Sequence, residues 1–245
     1  DRFLRVVGEV LTDSGVKAER VSHLQYAAMA TIRVDDHGES YVTPDVPLLL
    51  RRWQAADAAG ISAFSLNENY AHVWSAAALT RSPVVNRPGA NGAVNMHPRR
   101  LIPRLHASAP DLRHLIPCEW YADDGQPTPD QESEVLAAYP LADGDHHVPR
   151  RFRNRKPAGW VYARTIVAGD HAWQSSRLDD RMEWLEPLTA SVAGALDLSL
   201  CQITWRAQPR ERLAQVARIC AEPGPAELGT SFDVAARRIA RYLTP

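Results

Sequence analysis

The stretch RSPVVNRPGANGAVNMHPRRLIPRL, residues 81–105, constrains the fold of this chain more than any other. A short apolar strand, Pro83-Val84-Val85, stops abruptly at Asn86-Arg87-Pro88-Gly89, and a basic helical pattern follows. Upstream, "ISAFSL" (61–66) reads as a buried strand and "NENYAHVWSAAALT" as a helix capped by Asn67 or Asn69 and packing Val73, Trp74 and Ala77. Strand, helix and strand within about two dozen residues make a βαβ unit, which requires a parallel pair. An Asn after such a strand can simply cap a turn. Nothing in the sequence gives Arg87 a structural role.

Periodicity supplies the remaining elements. Phe3, Val6, Val7, Val10 and Leu11 share one helical face. "TIRVDDHGESYVTP" reads as a hairpin turning at Asp35-Asp36-His37-Gly38, and "LLLRRWQAADAAG" as a helix ending at Gly60. "WVYARTIVAGDHAWQSSR" alternates around Gly169-Asp170, a second hairpin pattern. Met182, Leu185, Leu188, Val192 and Ala195 mark a helix with Pro187 in its first turn. "LCQITWRA" and "AQVARICAEPGP" read as strands, and "TSFDVAARRIARYL" as an amphipathic helix with Phe232, Ala235, Ile239 and Leu243 inward. Between residues 105 and 160 the pattern dissolves into an acidic, proline-bearing loop (123–134) and a charged, turn-rich stretch (142–159).

Composition excludes several function classes. A net charge of −1 gives no global field for nucleic acid or an anionic membrane. No apolar run approaches the ~18 residues a bilayer span needs, and no signal-peptide pattern opens the sequence. The three cysteines, Cys118, Cys201 and Cys220, lack metal or redox spacing, which favours reduced thiols and a cytoplasmic location. Lys17 and Lys156 are the only lysines against 26 arginines, so little lysine is available for chemistry.

The order of these elements resembles the ATP-grasp superfamily, in particular the carboxylate–amine ligases related to ribosomal-protein glutamate ligases and glutathione synthetases. The passage "PVVNRPGANGAVNMHPRRLIPRL…HLIPCEW" looks like the family's exit from its small parallel-sheet domain. "VYARTIVAGDHAWQSSR" resembles the hairpin that brings arginine to phosphate and substrate, and "ALDLSLCQITWRA…VARICAEPGP" the last two strands, which carry magnesium carboxylates. The likeness covers most of residues 45–245. It implies an α/β, ATP-grasp-like fold with an N-terminal parallel-sheet lobe (1–116) and a shortened C-terminal α+β lobe (117–245). The implied cofactors of an active member are ATP and magnesium. The activity is activation of a carboxylate as an acyl phosphate and its transfer to an amine.

The resemblance assigns roles position by position. Arg164 and Arg177 fall at the hairpin's catalytic places, and Asn86 and Arg87 at the sheet exit on the active-site side. Arg99 or Arg100 stands for the first nucleotide lysine, and Lys156-Pro157-Ala158-Gly159 for a remnant of the second lysine and its glycine-rich loop. The metal positions read Gln202, Cys220 and Glu222, of which only Glu222 is the hard anion that magnesium prefers. The departures imply a carboxylate–amine ligation protein with an eroded ATP and magnesium site; the alternatives are a non-catalytic substrate-binding or regulatory partner of an active ligase, which the missing lysines and carboxylates favour, and a fold of unrelated function.

Other clusters carry competing readings. Asp143-Gly144-Asp145-His146-His147 has metal-ligand chemistry, but consecutive ligands rarely converge, which favours a solvated loop. The run from Arg150 through Arg153 to Lys156 suits a polyphosphate clamp, an RNA contact or an exposed basic loop. Near-neutral net charge argues for a small anionic molecule or peptide carboxylate over nucleic acid. A homo-oligomer or a ligase partner remains compatible with the sequence. Cys220 has no signature tying it to a histidine and reads as a small hydrophobe.

Overall fold

The computed structural model describes residues 1–51, 60–89, 98–116, 119–122, 133–135, 150–154, 159–175 and 182–244. Helix α1 (Arg2–Asp13) begins at Asp1, whose carboxylate accepts the Phe3 and Leu4 N–H groups. Its buried face is Phe3, Val7 and Leu11. The chain continues through α2 (His23–Met29), closed by a Ser22–Gln25 capping box, and the antiparallel hairpin β1 (Thr31–Val34) and β2 (Ser40–Thr43).

The βαβ unit is present, but with a different first strand. Strand β3 is Leu48–Leu49, inside the run read as helical, and it pairs in parallel with β4 (Val84–Val85). Residues 52–59 lie outside the described part of the chain. The stretch 61–66 is not a strand. Ser62 accepts the Ser65 N–H and starts α3 (Ala63–Leu79), which leaves Phe64 75% exposed. A short apolar run is ambiguous between strand and helix, and here the serine cap decides it.

Helix α4 (Pro98–Ser108) buries Leu101, Ile102 and Leu105, and a 3₁₀ turn (Pro110–Leu115) follows. The stretches read as irregular contain a three-stranded antiparallel sheet, ordered β5 (Glu119–Ala122), β7 (Arg150–Asn154), β6 (Ser133–Val135). Over residues 150–154 the basic run is therefore a central strand and not a loop.

The main sheet is antiparallel, with order β11 (Leu213–Cys220), β10 (Leu200–Gln208), β8 (Val161–Ala168), β9 (His171–Gln174). Gly169, at φ 66°, makes the β8–β9 turn, where a Cβ would lie 3.3 Å from Tyr242. One face packs Ala163, Val167, Cys201, Ile203, Trp205 and Ala207 with α4 and with α5 (Leu185–Ala195). Within that core the Trp205 indole N–H donates to Thr165 Oγ1 at 2.8 Å, and Thr165 and Thr189 share a hydroxyl hydrogen bond of 2.8 Å. On α5 the expected Leu185 and Val192 are fully buried, Leu188 is only partly so, and Thr189 joins the inner face instead.

On the opposite face, Ile166, Ala168 and Leu200 pack against α1 and α7 (Phe232–Leu243), which follows the short α6 (Pro225–Leu228). The expected inward residues Phe232, Ala235, Ile239 and Leu243 are all buried. Phe3 meets Phe232 edge-on at 5.5 Å, and Arg51 bonds both Asp1 and the Pro223 carbonyl. Residues on both sides of position 116 build the same two cores.

Candidate functional site

Helices α1 and α7 pack on the end of their sheet face marked by Ile166, Ala168 and Leu200. Beyond them the same face turns polar, because strand alternation sends every second residue to it. Cross-strand pairing defines three rows. Ile166, Gln202 and Cys220 form the first, Arg164, Thr204 and Arg218 the second, and Tyr162, Arg206 and Gln215 the third. Arg164 and Arg218 are exposed, Thr204 is half-buried, and Arg206 is only 1% exposed.

Arg164 is on β8, the first strand of the hairpin, and belongs to the second row. Gln202 and Cys220, the expected metal positions, are direct cross-strand partners. Glu222 lies half-buried two residues past the end of β11. Burial pushes the Cys201 thiol, on the opposite face, up to about 12, so that cysteine is inert packing.

Magnesium takes several hard oxygen ligands in near-octahedral geometry. Gln202 directs its Nε2 to Thr204 Oγ1 at 3.1 Å and has one neutral carbonyl oxygen to offer. Cys220 supplies soft sulfur. Among the described residues no three His, Cys, Asp or Glu side chains gather into a metal site. This donor set does not fit magnesium.

Asn86 and Arg87 have contacts that the sequence does not foreshadow. Asn86 is buried at φ 53°. Its Nδ2 donates to the carbonyls of Leu200 at 2.8 Å and Ala221 at 2.6 Å, and its Oδ1 accepts the Leu200 N–H at 2.8 Å. It ties β4 to the start of β10 and the end of β11. The Arg87 guanidinium donates to the carbonyls of Ala77 and Ala78 at 3.2 Å, and Thr80 and Ser82 at 2.6 Å. These bonds correct the expectation that Arg87 has no structural role. Its guanidinium closes the carbonyl end of α3, where a cation is favoured. From the other side, Asp45 accepts the Thr80 hydroxyl and the Ser82 N–H, and those bonds hold its carboxyl below the usual range.

Arg99 and Arg100 are on the first turn of α4, and Arg153 is on β7 opposite Glu119 and Glu134 in register. Arg177, Lys156, Cys118 and the 143–147 cluster lie outside the described residues. Sequence reasoning missed Thr204, Arg206 and Arg218. For Gln202, Thr204 and Arg206 the i, i+2 spacing was a usable signal. For Arg218 it was not. A bulge at Ala217 puts Val216 and Arg218 on opposite faces although their spacing predicts the same one.

The architecture is an α/β, ATP-grasp-like fold. The solved macrocyclase MdnC of Microcystis aeruginosa MRC, bound with precursor peptide MdnA, matches it at TM-score 0.65 and 13% identity, over 99% of this chain and 95% of that one. A Chryseobacterium gregarium RiPP-associated ATP-grasp ligase, in complex with ADP and a leader and core peptide, matches at TM-score 0.62 and 14% identity, covering 100% and 95%. The ATP-grasp ligase PsnB, complexed with a phosphomimetic variant of minimal precursor, Mg and ADP, matches at TM-score 0.62 and 14% identity, covering 99% and 94%. No family model and no curated protein matches the sequence. No helix among the described residues is long and apolar enough to cross a membrane.

Proposed function

We propose that this chain serves carboxylate–amine ligation on peptides as an ATP-grasp-like protein with an eroded ATP and magnesium site. In this reading it holds an anionic ligand, a peptide carboxylate, on the polar face of the main sheet and acts as the substrate-binding or regulatory partner of an active ligase. One observation carries the reading. Gln202 and Cys220 face each other where the resemblance expects magnesium ligands, while Arg164 stays on the same face one row away. Anion binding persists on that face with the metal donors gone. The peptide-bound state of the solved neighbours supports a peptide as ligand.

A planar guanidinium at Arg164 takes a carboxylate through paired N–H donors, which fixes orientation as well as charge. Hydrogen bonds to charged groups contribute about 1.5–3 kcal/mol. Arg164→Ala is therefore expected to weaken binding of a short acidic peptide about tenfold or more, with the melting temperature unchanged because Arg164 is exposed. Calorimetric titration of wild type and variant with Asp/Glu-rich peptides and amidated controls checks this. Equal affinity of the two proteins for the acidic peptide would remove Arg164 from the site.

A further inference from the structure

The main sheet ends in a cavity on its other face, the one packed with α4 and α5. The last cross-strand row of that face is Val161, Ala207 and Ala214, whereas the next row in holds Trp205 and Val216. Alanine at this end leaves space that a larger side chain would fill. The cavity measures about 530 Å³, within the range of roughly 300–1,000 Å³ that holds small molecules. Trp160, Trp184 and Leu188 line it together with Ala214, and both tryptophans are half-buried. His114 and Arg212 are its ionisable lining residues, and no carboxylate lines it.

Arg212 is exposed, and among the described residues its guanidinium makes no hydrogen bond or ion pair. It sits at φ 53°, a left-handed position that favours glycine, asparagine or aspartate, so an arginine there carries a conformational cost. The lining thus joins flat indoles to one unneutralised cation at the rim. Indole rings favour an aromatic partner, and a planar guanidinium takes a carboxylate through paired N–H donors. We propose that this cavity binds a small aromatic carboxylate, its ring against Trp160 and Trp184 and its carboxylate on Arg212. The site lies across the sheet from Arg164 and Gln202, so it stands or falls independently of the reading of the polar face.

The test is calorimetric titration of the full chain with 2-naphthoate, and with 2-naphthamide as its uncharged counterpart. Saturable one-to-one binding of naphthoate is expected, with naphthamide weaker by about tenfold or more. Arg212→Gln should weaken naphthoate by about the same factor and leave naphthamide unchanged. Arg210→Gln, at an exposed position of the same turn outside the lining, should alter neither. Ala214→Phe fills the cavity and should abolish binding of both. Thermal melts show whether it folds, and Ala214→Leu, a smaller filling change, should weaken both ligands as well. No saturable naphthoate binding overturns the proposal. So does equal binding of acid and amide, or naphthoate binding that Arg212→Gln or a folded Ala214 variant leaves intact.

Discussion

Asn86→Ala is expected to destabilise the chain by about 3–5 kcal/mol, the range of a broken buried hydrogen-bond network. The amide side chain satisfies the Leu200 N–H and the carbonyls of Leu200 and Ala221 in a position only 5% exposed, so truncation strands three backbone groups away from water. Two companion variants separate the causes. Asn86→Gly loses the same bonds but accepts φ 53° without a Cβ, so it should be about 1 kcal/mol less harmful than Ala. Asn86→Asp keeps an acceptor for the Leu200 N–H but turns an anion toward two carbonyls, and should be at least as harmful as Ala. Chemical denaturation of the three proteins checks the order. Equal stability of Ala and wild type would show that the clamp between β4, β10 and β11 does not hold the fold.

Arg87→Ala is expected to destabilise by about 2 kcal/mol, the upper range for a partly buried cation at a helix C-terminus. Its four carbonyl contacts fix the last turn of α3 and the Thr80–Ser82 link into β4. At 2–4 °C per kcal/mol for a chain of this size, the melting temperature should fall by roughly 4–8 °C. Arg87→Lys should recover only part of this, because an ammonium lacks the planar fork that spans several carbonyls. Peptide affinity of the folded variant should stay within about twofold of wild type. A variant that keeps its melting temperature but loses ligand binding would return Arg87 to the binding site.

The two residues show what the sequence can and cannot carry. The motif Asn86-Arg87-Pro88 was legible as the end of a parallel strand, and the pairing of β3 with β4 bears out the parallel unit. Its role was not legible, because the partners of Asn86 lie 114 and 135 positions away and Arg87 turns back onto the preceding helix. Long-range contacts leave no local period. Strongly periodic elements fared better: α1, α7 and the β8–β9 hairpin fall where the sequence puts them. Short apolar runs fared worst, since "ISAFSL" read as a strand begins α3 and "LL" at 48–49, read as helix, is β3. In the candidate site the resemblance singles out Arg164, whereas its row partner Arg218 was hidden by a one-residue bulge that inverts the alternation of β11.

On the reading proposed above, this chain binds anions but does not by itself transfer phosphate from ATP. The most direct measurement is ADP release from ATP by the purified chain in millimolar magnesium, with and without acidic peptides and an amine donor. No release above the protein-free rate is expected under any of these conditions. Magnesium-dependent release at an enzymatic turnover of ~1 s⁻¹ or faster, abolished in Glu222→Ala, would contradict it, because Glu222 would then be holding a working metal.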